Sequence, residues 1–241
     1  MKFLVVKHVT VEGLGAFAPW CEAAGIDLDW VECERGDPLP ETLDDYRAVW
    51  VMGGPMNVAD EADYPWLKRE KRWIHQVVAE WQIPYMGVCL GAQLLADALG
   101  GTVGAMGAPE VGLGSVYLTK PATAHPLLQG LPERFTALHW HGQEVQRLPA
   151  RAVLLASSDH CRVQAYGVGA YAFGIQFHVE VEERTVGDWS ALPEYRCALE
   201  QALGATGWET LGQAVKAALP LMTPIAHRLF DNFCAIVRQR W

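Results

Sequence analysis

The sequence predicts an α/β fold: an open, mostly parallel sheet with helices on both faces, antiparallel additions and a helical C-terminal extension. Three observations carry this. Short β-rich runs alternate with helical periodicity up to Gly101. After Gly101, strand-like runs are separated only by Gly, Pro and polar turns. From about Pro193 to Trp241 the pattern is helical again.

Taken in order, "KFLVVKH" reads as the first strand, "LGAFAPWCEAAG" as a helix, "DLDWVEC" as a second strand and "AVWVMGG" as a third that ends in glycines. From Pro65 to Trp81, residues Trp66, Trp73, Ile74, Val77, Val78 and Trp81 recur at helical spacing, so one stripe is expected to bury against the sheet. "IPYMGV" returns as a strand and "GAQLLADALG" as the next helix. "VGLGSVYLT", "RFTALHW", "AVLLASS", "VQAYGV" and "AYAFGIQFH" read as short strands, best placed as antiparallel additions to the parallel core. Three helices follow: "LPEYRCALEQAL", "WETLGQAVKAAL" and "TPIAHRLFDNFCAIVRQ". The last is expected to start at an N-cap Thr223 with Pro224 in its first position, and its apolar stripe Ile225, Leu229, Phe233 and Ile236 needs a packing partner. No linker or repeat divides the chain, so we expect one domain over residues 1–190 with a helical extension, 191–241, packed on it.

Composition narrows the function. Hydrophobic residues make up 51% of the chain and charged residues 20%, and no apolar run is long enough to span a bilayer. The patch in "MKFLVVKHV" is too short for a signal peptide and is interrupted by Lys7, so a cytoplasmic location without membrane attachment is expected. A net charge of -9 opposes nucleic-acid binding, and "LKREKRW", Leu67 to Trp73, reads as a solvated helix face. The six cysteines at 21, 33, 89, 161, 197 and 234 form no CxxC and stand near no histidine at metal-ligand spacing, so no structural zinc and no disulfide framework are expected.

One cysteine is different. "GVCLG" places Cys89 between Gly87 and Gly91, the spacing of a strand-turn-helix elbow in which a Cβ on either side would collide. The N–H groups and dipole of the helix that follows favour a thiolate there. "FGIQFHVEVEE" supplies His178 and Glu180, whose i, i+2 spacing puts them on one side of a strand end. Glu180 is expected to fix the imidazole tautomer while the other ring nitrogen faces Cys89, giving nucleophile, base and orienter. "VWVMGGPMN" ends a strand in Gly53 and Gly54, and a main-chain N–H from there, beside that of Leu90, is expected to bind an oxyanion. Such short motifs often match by chance, but all three follow strands at the edge where open α/β sheets bind ligands. His139 and His141 share a face, yet no third metal ligand lies near them in the sequence. His8 ends the first strand in what reads as a packing role, and the glycine-rich stretch around Glu110 lacks the lysine and serine of a phosphate loop.

These residues resemble the class I glutamine amidotransferases. "GVCLGAQLLA" is similar to the family's nucleophile motif, "GGP" to its oxyanion loop and "QFHVE" to its His-x-Glu motif, over about Met1 to Glu183. Within the family, "GGPMNV", "PWL", "ALGG" and "HWHG" resemble the stand-alone, GMP synthase-like group. The resemblance implies a flavodoxin-like core, a triad of Cys89, His178 and Glu180, and attack on the γ-carboxamide of glutamine through a glutamyl thioester, with no cofactor and no metal. It also implies that Gly53, Gln93, Trp140, His141 and Gly142 bind the substrate, with Gln93 at its α-amino and α-carboxylate end. Val179 stands where many relatives have proline, which is expected to leave the strand end less constrained, and Gln143 stands where the stand-alone group commonly has aspartate. Three readings remain open: a glutaminase feeding ammonia to a separate synthase, a γ-glutamyl peptidase acting on glutathione-like compounds, and a non-catalytic binding protein or thiol sensor.

Overall fold

A computed structural model describes residues 1–241. The strands are β1 (Lys2–Lys7), β2 (Asp27–Glu32), β3 (Ala48–Val51), β4 (Tyr85–Val88), β5 (Thr102–Leu118), β6 (Arg134–Arg147), β7 (Ala152–Ser157), β8 (Ala165–Val168) and β9 (Ala172–Ile175). The helices are α1 (Phe17–Ala23), α2 (Trp66–His75), α3 (Leu90–Ala98), α4 (Thr185–Ser190), α5 (Pro193–Leu203) and α6 (Gly207–Arg240). One nine-stranded sheet runs β2-β1-β3-β4-β9-β8-β7-β5-β6. Its first five strands are mutually parallel, in the doubly wound order of a flavodoxin-like core, and the remaining four join antiparallel.

The parallel strands are apolar on both faces because both are covered. On one face, Leu4, Val6, Val49, Val51 and Tyr85 meet Leu67, Trp73, Ile74 and Val77 of the α2 segment and Leu94 and Leu95 of α3. On the other, Phe3, Trp50 and Phe173 pack against Phe17 of α1 and Phe233 of α6. A smaller third core joins Leu138 and Trp140 of β6 to Trp189, Tyr195, Leu199 and Leu211. No helix is long and apolar enough to cross a membrane.

The structure departs from the expected elements in several places. β9, expected as an antiparallel addition, pairs parallel with β4 and completes the parallel core. Residues 207–240 form one helix rather than two, with Pro220 and Pro224 inside it. Thr223 is therefore not an N-cap: buried apolar residues on both sides of the prolines hold the helix continuous. β5 begins at Thr102, well before the expected "VGLGSVYLT", because residues 102–105 already pair with β6; a bulge leaves residues 106–109 unpaired before the ladder resumes at Glu110. β9 ends at Ile175, so His178 and Glu180 lie beyond it, with His178 in an isolated bridge to Leu138. Finally, Glu70 in the basic cluster faces inward and is fully buried.

Candidate active site

The motif residues converge beyond the carboxyl ends of β1, β3, β4 and β9. Cys89 occupies the turn between β4 and α3 with φ 50° and ψ -107°, a conformation that holds a non-glycine side chain clear of the turn. Its flanking glycines are required by close approach: a Cβ at Gly87 would strike the Gly91 carbonyl, and one at Gly91 the Val51 carbonyl. The elbow is pinned by the Cys89 N–H donating to the Ile175 carbonyl at 2.8 Å and by the Tyr85 hydroxyl donating to the Gly91 carbonyl at 2.9 Å.

His178 is buried and held by a reciprocal main-chain pair with Leu138, at 2.8 and 3.0 Å. Its Nδ1 donates to Glu180 Oε1 at 2.6 Å. Burial disfavours the imidazolium, but the Glu180 carboxylate and the Cys89 thiol within reach outweigh it, so the His178 pKa lies well above the ordinary value. The other carboxylate oxygen, Glu180 Oε2, accepts the Val179 N–H at 3.0 Å. A proline at position 179 could not make this bond, so valine fastens the orienting carboxylate where a looser strand end was expected.

Two glutamines extend the network. Gln176 Nε2 donates to Cys89 Sγ at 3.4 Å, and Gln93 Nε2 donates to Gln176 Oε1 at 2.9 Å and to the Gln143 carbonyl at 3.2 Å. The side-chain amide of Gln93 is thus engaged within the protein, steadying Gln176. The role of Gln176 was readable from alternation: residues 176, 178 and 180 are buried polar groups, with Phe177 and Val179 between them in the core.

A cavity of about 120 Å³ opens on Cys89, and Gly54, Gln93, Trp140, His141, Gly142 and Gln143 line it. Gly53 lies just beneath: a Cβ there would meet the Glu12 carboxylate and sit 3.5 Å from Cys89 Cβ. Glu194, Tyr195 and Ala198 of α5 close the far wall, so the start of the helical tail caps the pocket, although the sequence singled out none of the three. Glu12 was also missed. It is buried, its Oε1 has no hydrogen-bond partner, and burial raises its pKa to about 7 despite the opposing pull of His178.

His139 and His141 do gather further polar groups around Glu110. Glu110 Oε2 accepts from His141 Nε2 at 3.1 Å and from Gln164 Nε2 at 2.7 Å, while Oε1 accepts from the Ser158 hydroxyl at 2.6 Å. The Gln164 amide also lies 3.2 Å from His139 Nδ1. Burial lowers the His139 pKa to about 4, so this ring is neutral at physiological pH. The cluster ties β5 to β6 and to the loop after β7, and leaves His139 Nε2 and Gln164 Oε1 without hydrogen-bond partners.

Known proteins resemble this chain in sequence and in fold. Over 183 residues the chain is 31% identical to a glutamine amidotransferase-like protein, YfeJ, of Salmonella typhimurium, covering 75% of this chain and 76% of that one. Over 152 residues it is 35% identical to one subunit of the glutamine-hydrolysing GMP synthase of Sulfolobus acidocaldarius, covering 63% of this chain and 76% of the relative. A glutamine amidotransferase structure from Thermotoga maritima superposes with a TM-score of 0.86 at 27% identity over 98% of both chains. One from Methylobacillus flagellatus gives 0.85 at 25% identity over 98% of this chain and 94% of the other. The family model for class-I glutamine amidotransferases matches residues 21–189, and with these relatives it shows that the chain belongs to that family.

Proposed function

We propose that the protein hydrolyses the γ-carboxamide of glutamine to glutamate and ammonia through a thioester on Cys89. The observation that carries this reading is the buried His178, hydrogen-bonded to Glu180 at 2.6 Å and within reach of the Cys89 thiol, which lines a small cavity. An imidazolium beside the sulfur supplies the charge that a thiolate nucleophile needs. Sγ attacks the amide carbon, and the carbonyl oxygen takes negative charge against the N–H groups of Gly54 and Leu90. His178 gives its proton to the departing nitrogen as the C–N bond breaks, and ammonia leaves. His178 then takes a proton from water, the hydroxide attacks the thioester, and glutamate departs as the sulfur regains its thiolate form.

The size of the site favours a small substrate. A cavity of about 120 Å³, walled by Tyr195 and Ala198, suits an amide head group better than a bulky γ-glutamyl conjugate. Ammonia then serves a separate synthase, a reading supported by the relative named as one subunit of a GMP synthase.

Purified protein assayed with glutamine and with γ-glutamyl peptides is expected to release ammonia from glutamine and to act poorly on the peptides. A glutamine-like chloroketone is expected to modify the peptide carrying Cys89. Cys89→Ala should lose both activities, and hydrolysis that survives this substitution would refute the reading.

A further inference from the structure

A second buried charged pair, which the reaction above leaves unused, lies behind the glycine loop. His8, at the end of β1, and Glu70, on α2, are both fully buried. His8 Nε2 lies 3.0 Å from Glu70 Oε1, and Nδ1 lies 2.8 Å from the Gly53 carbonyl. The ring stacks on Trp66 at 5.4 Å between centroids and 14° between planes, which fixes its orientation. A carbonyl and a carboxylate only accept, so with Glu70 ionised both ring nitrogens donate and the ring is a cation. Burial opposes that charge, and Glu70 with the Gly53 carbonyl outweighs it, raising the pKa.

The Gly53 carbonyl and the Gly54 N–H belong to one peptide unit. Between two glycines this unit would otherwise rotate at little cost. Here it is confined from both sides: a Cβ at Gly54 would lie 2.9 Å from His8 Cβ and 3.0 Å from Leu90 Cδ2. A charged donor on the carbonyl oxygen also polarises the peptide, making its N–H a stronger donor on the opposite side. Glu70 Oε2 has no hydrogen-bond partner, and apolar residues would brace this site at lower cost than a buried ion pair with an unsatisfied oxygen. The arrangement suits positioning better than stability.

We propose that His8, held by Glu70, is a positioning residue that clamps the Gly53–Gly54 peptide so that the Gly54 N–H faces the acyl oxygen above Cys89. The proposal rests on the hydrolytic reading above, under which that N–H is an oxyanion donor.

Two rates separate the clamp from a merely structural role. Alkylation of Cys89 by iodoacetamide needs the thiolate but no oxyanion donor, whereas amide hydrolysis needs both. Glu70→Gln, nearly isosteric, is expected to lower kcat for glutamine about tenfold, with KM and the alkylation rate changed less than twofold. His8→Leu is expected to lower kcat by about 10²- to 10³-fold, the loss seen when one oxyanion donor is removed. The Gly54 amide proton resonance should move upfield in Glu70→Gln, and this readout stands even if His8→Leu does not fold. Hydrolysis and alkylation falling together, or an unmoved Gly54 resonance with kcat retained, would overturn the clamp. Wild-type protein that alkylates readily yet hydrolyses no γ-glutamyl amide would overturn the hydrolytic reading instead, while the Gly54 shift would still decide the clamp.

Discussion

Glu12 is the residue whose titration should be visible from outside the molecule. Its carboxyl is buried beside Gly53 with one oxygen unpartnered, and burial raises its pKa from 4.5 to about 7. Between those values the unfolded chain has lost a proton that the folded protein keeps, so stability must fall as pH rises through this window. The slope from this one group is at most about 1.4 kcal/mol per pH unit. Urea midpoints followed across the window should decline, and Glu12→Gln should flatten the decline; an unchanged slope would place the ionised carboxylate comfortably in the fold. Glu180 acts through its charge, which holds the His178 pKa up. Glu180→Gln is expected to lower kcat by about 10²- to 10⁴-fold while leaving Cys89 accessible to alkylation, measured by steady-state hydrolysis. Cys89, His178 and Glu180 were legible because each sits in a local pattern whose chemistry is readable from its neighbours. Glu12 and Glu70 were not. One stands in an ordinary loop and the other among lysines and arginines, and only the packing of distant segments buries them.

At the scale of elements, the β4–α3 elbow was readable from two glycines because steric exclusion is a local property. It yields a direct prediction. Gly91→Ala would drive a methyl group into the Val51 carbonyl of the neighbouring strand, and main chain cannot yield as a side-chain tip can. We expect a loss of about 1 to 3 kcal/mol by chemical denaturation, together with slower labelling of Cys89 as the elbow shifts. Helix α6 shows the converse, a local rule overridden by packing. Thr223 and Pro224 look like a helix start, yet Met222 lies buried just before them and Ile225 and Ala226 just after, so breaking the helix would expose both sides. The prolines therefore persist as a local cost. Both are exposed, so Pro220→Ala should restore a main-chain donor without loss of packing, raising stability by up to about 3 kcal/mol in thermal melts.

For the molecule as a whole, the question is whether the segment matching the family is a complete folding unit. The match ends at residue 189, and the apolar stripe of α6 was legible from its spacing, but its partner was not. That partner is the sheet itself. Phe233 contacts Phe3, Trp50 and Phe173 edge-on, at ring separations of 6.2, 5.2 and 6.4 Å, and so spans three of the parallel strands. Phe230 packs on Phe17 of α1 at 6.3 Å. Between Ile225 and Val237, eight residues of this helix belong to the core on that face: Ile225, Ala226, Leu229, Phe230, Phe233, Cys234, Ile236 and Val237. At about 1.5 to 3 kcal/mol for each large side chain, their burial contributes on the order of 10 kcal/mol, comparable with the whole stability of a typical domain. α6 therefore completes the sheet's second covering layer. A chain cut after Ser190 should lose the cooperative thermal transition and bind a hydrophobic dye at neutral pH. The site should fail with it, because the third core, which holds Trp140 and Trp189 against Tyr195, loses its α5 and α6 members in the same cut. A sharp melt in the shortened chain, with Cys89 still open to alkylation, would show instead that the sheet can hold its shape with that face uncovered.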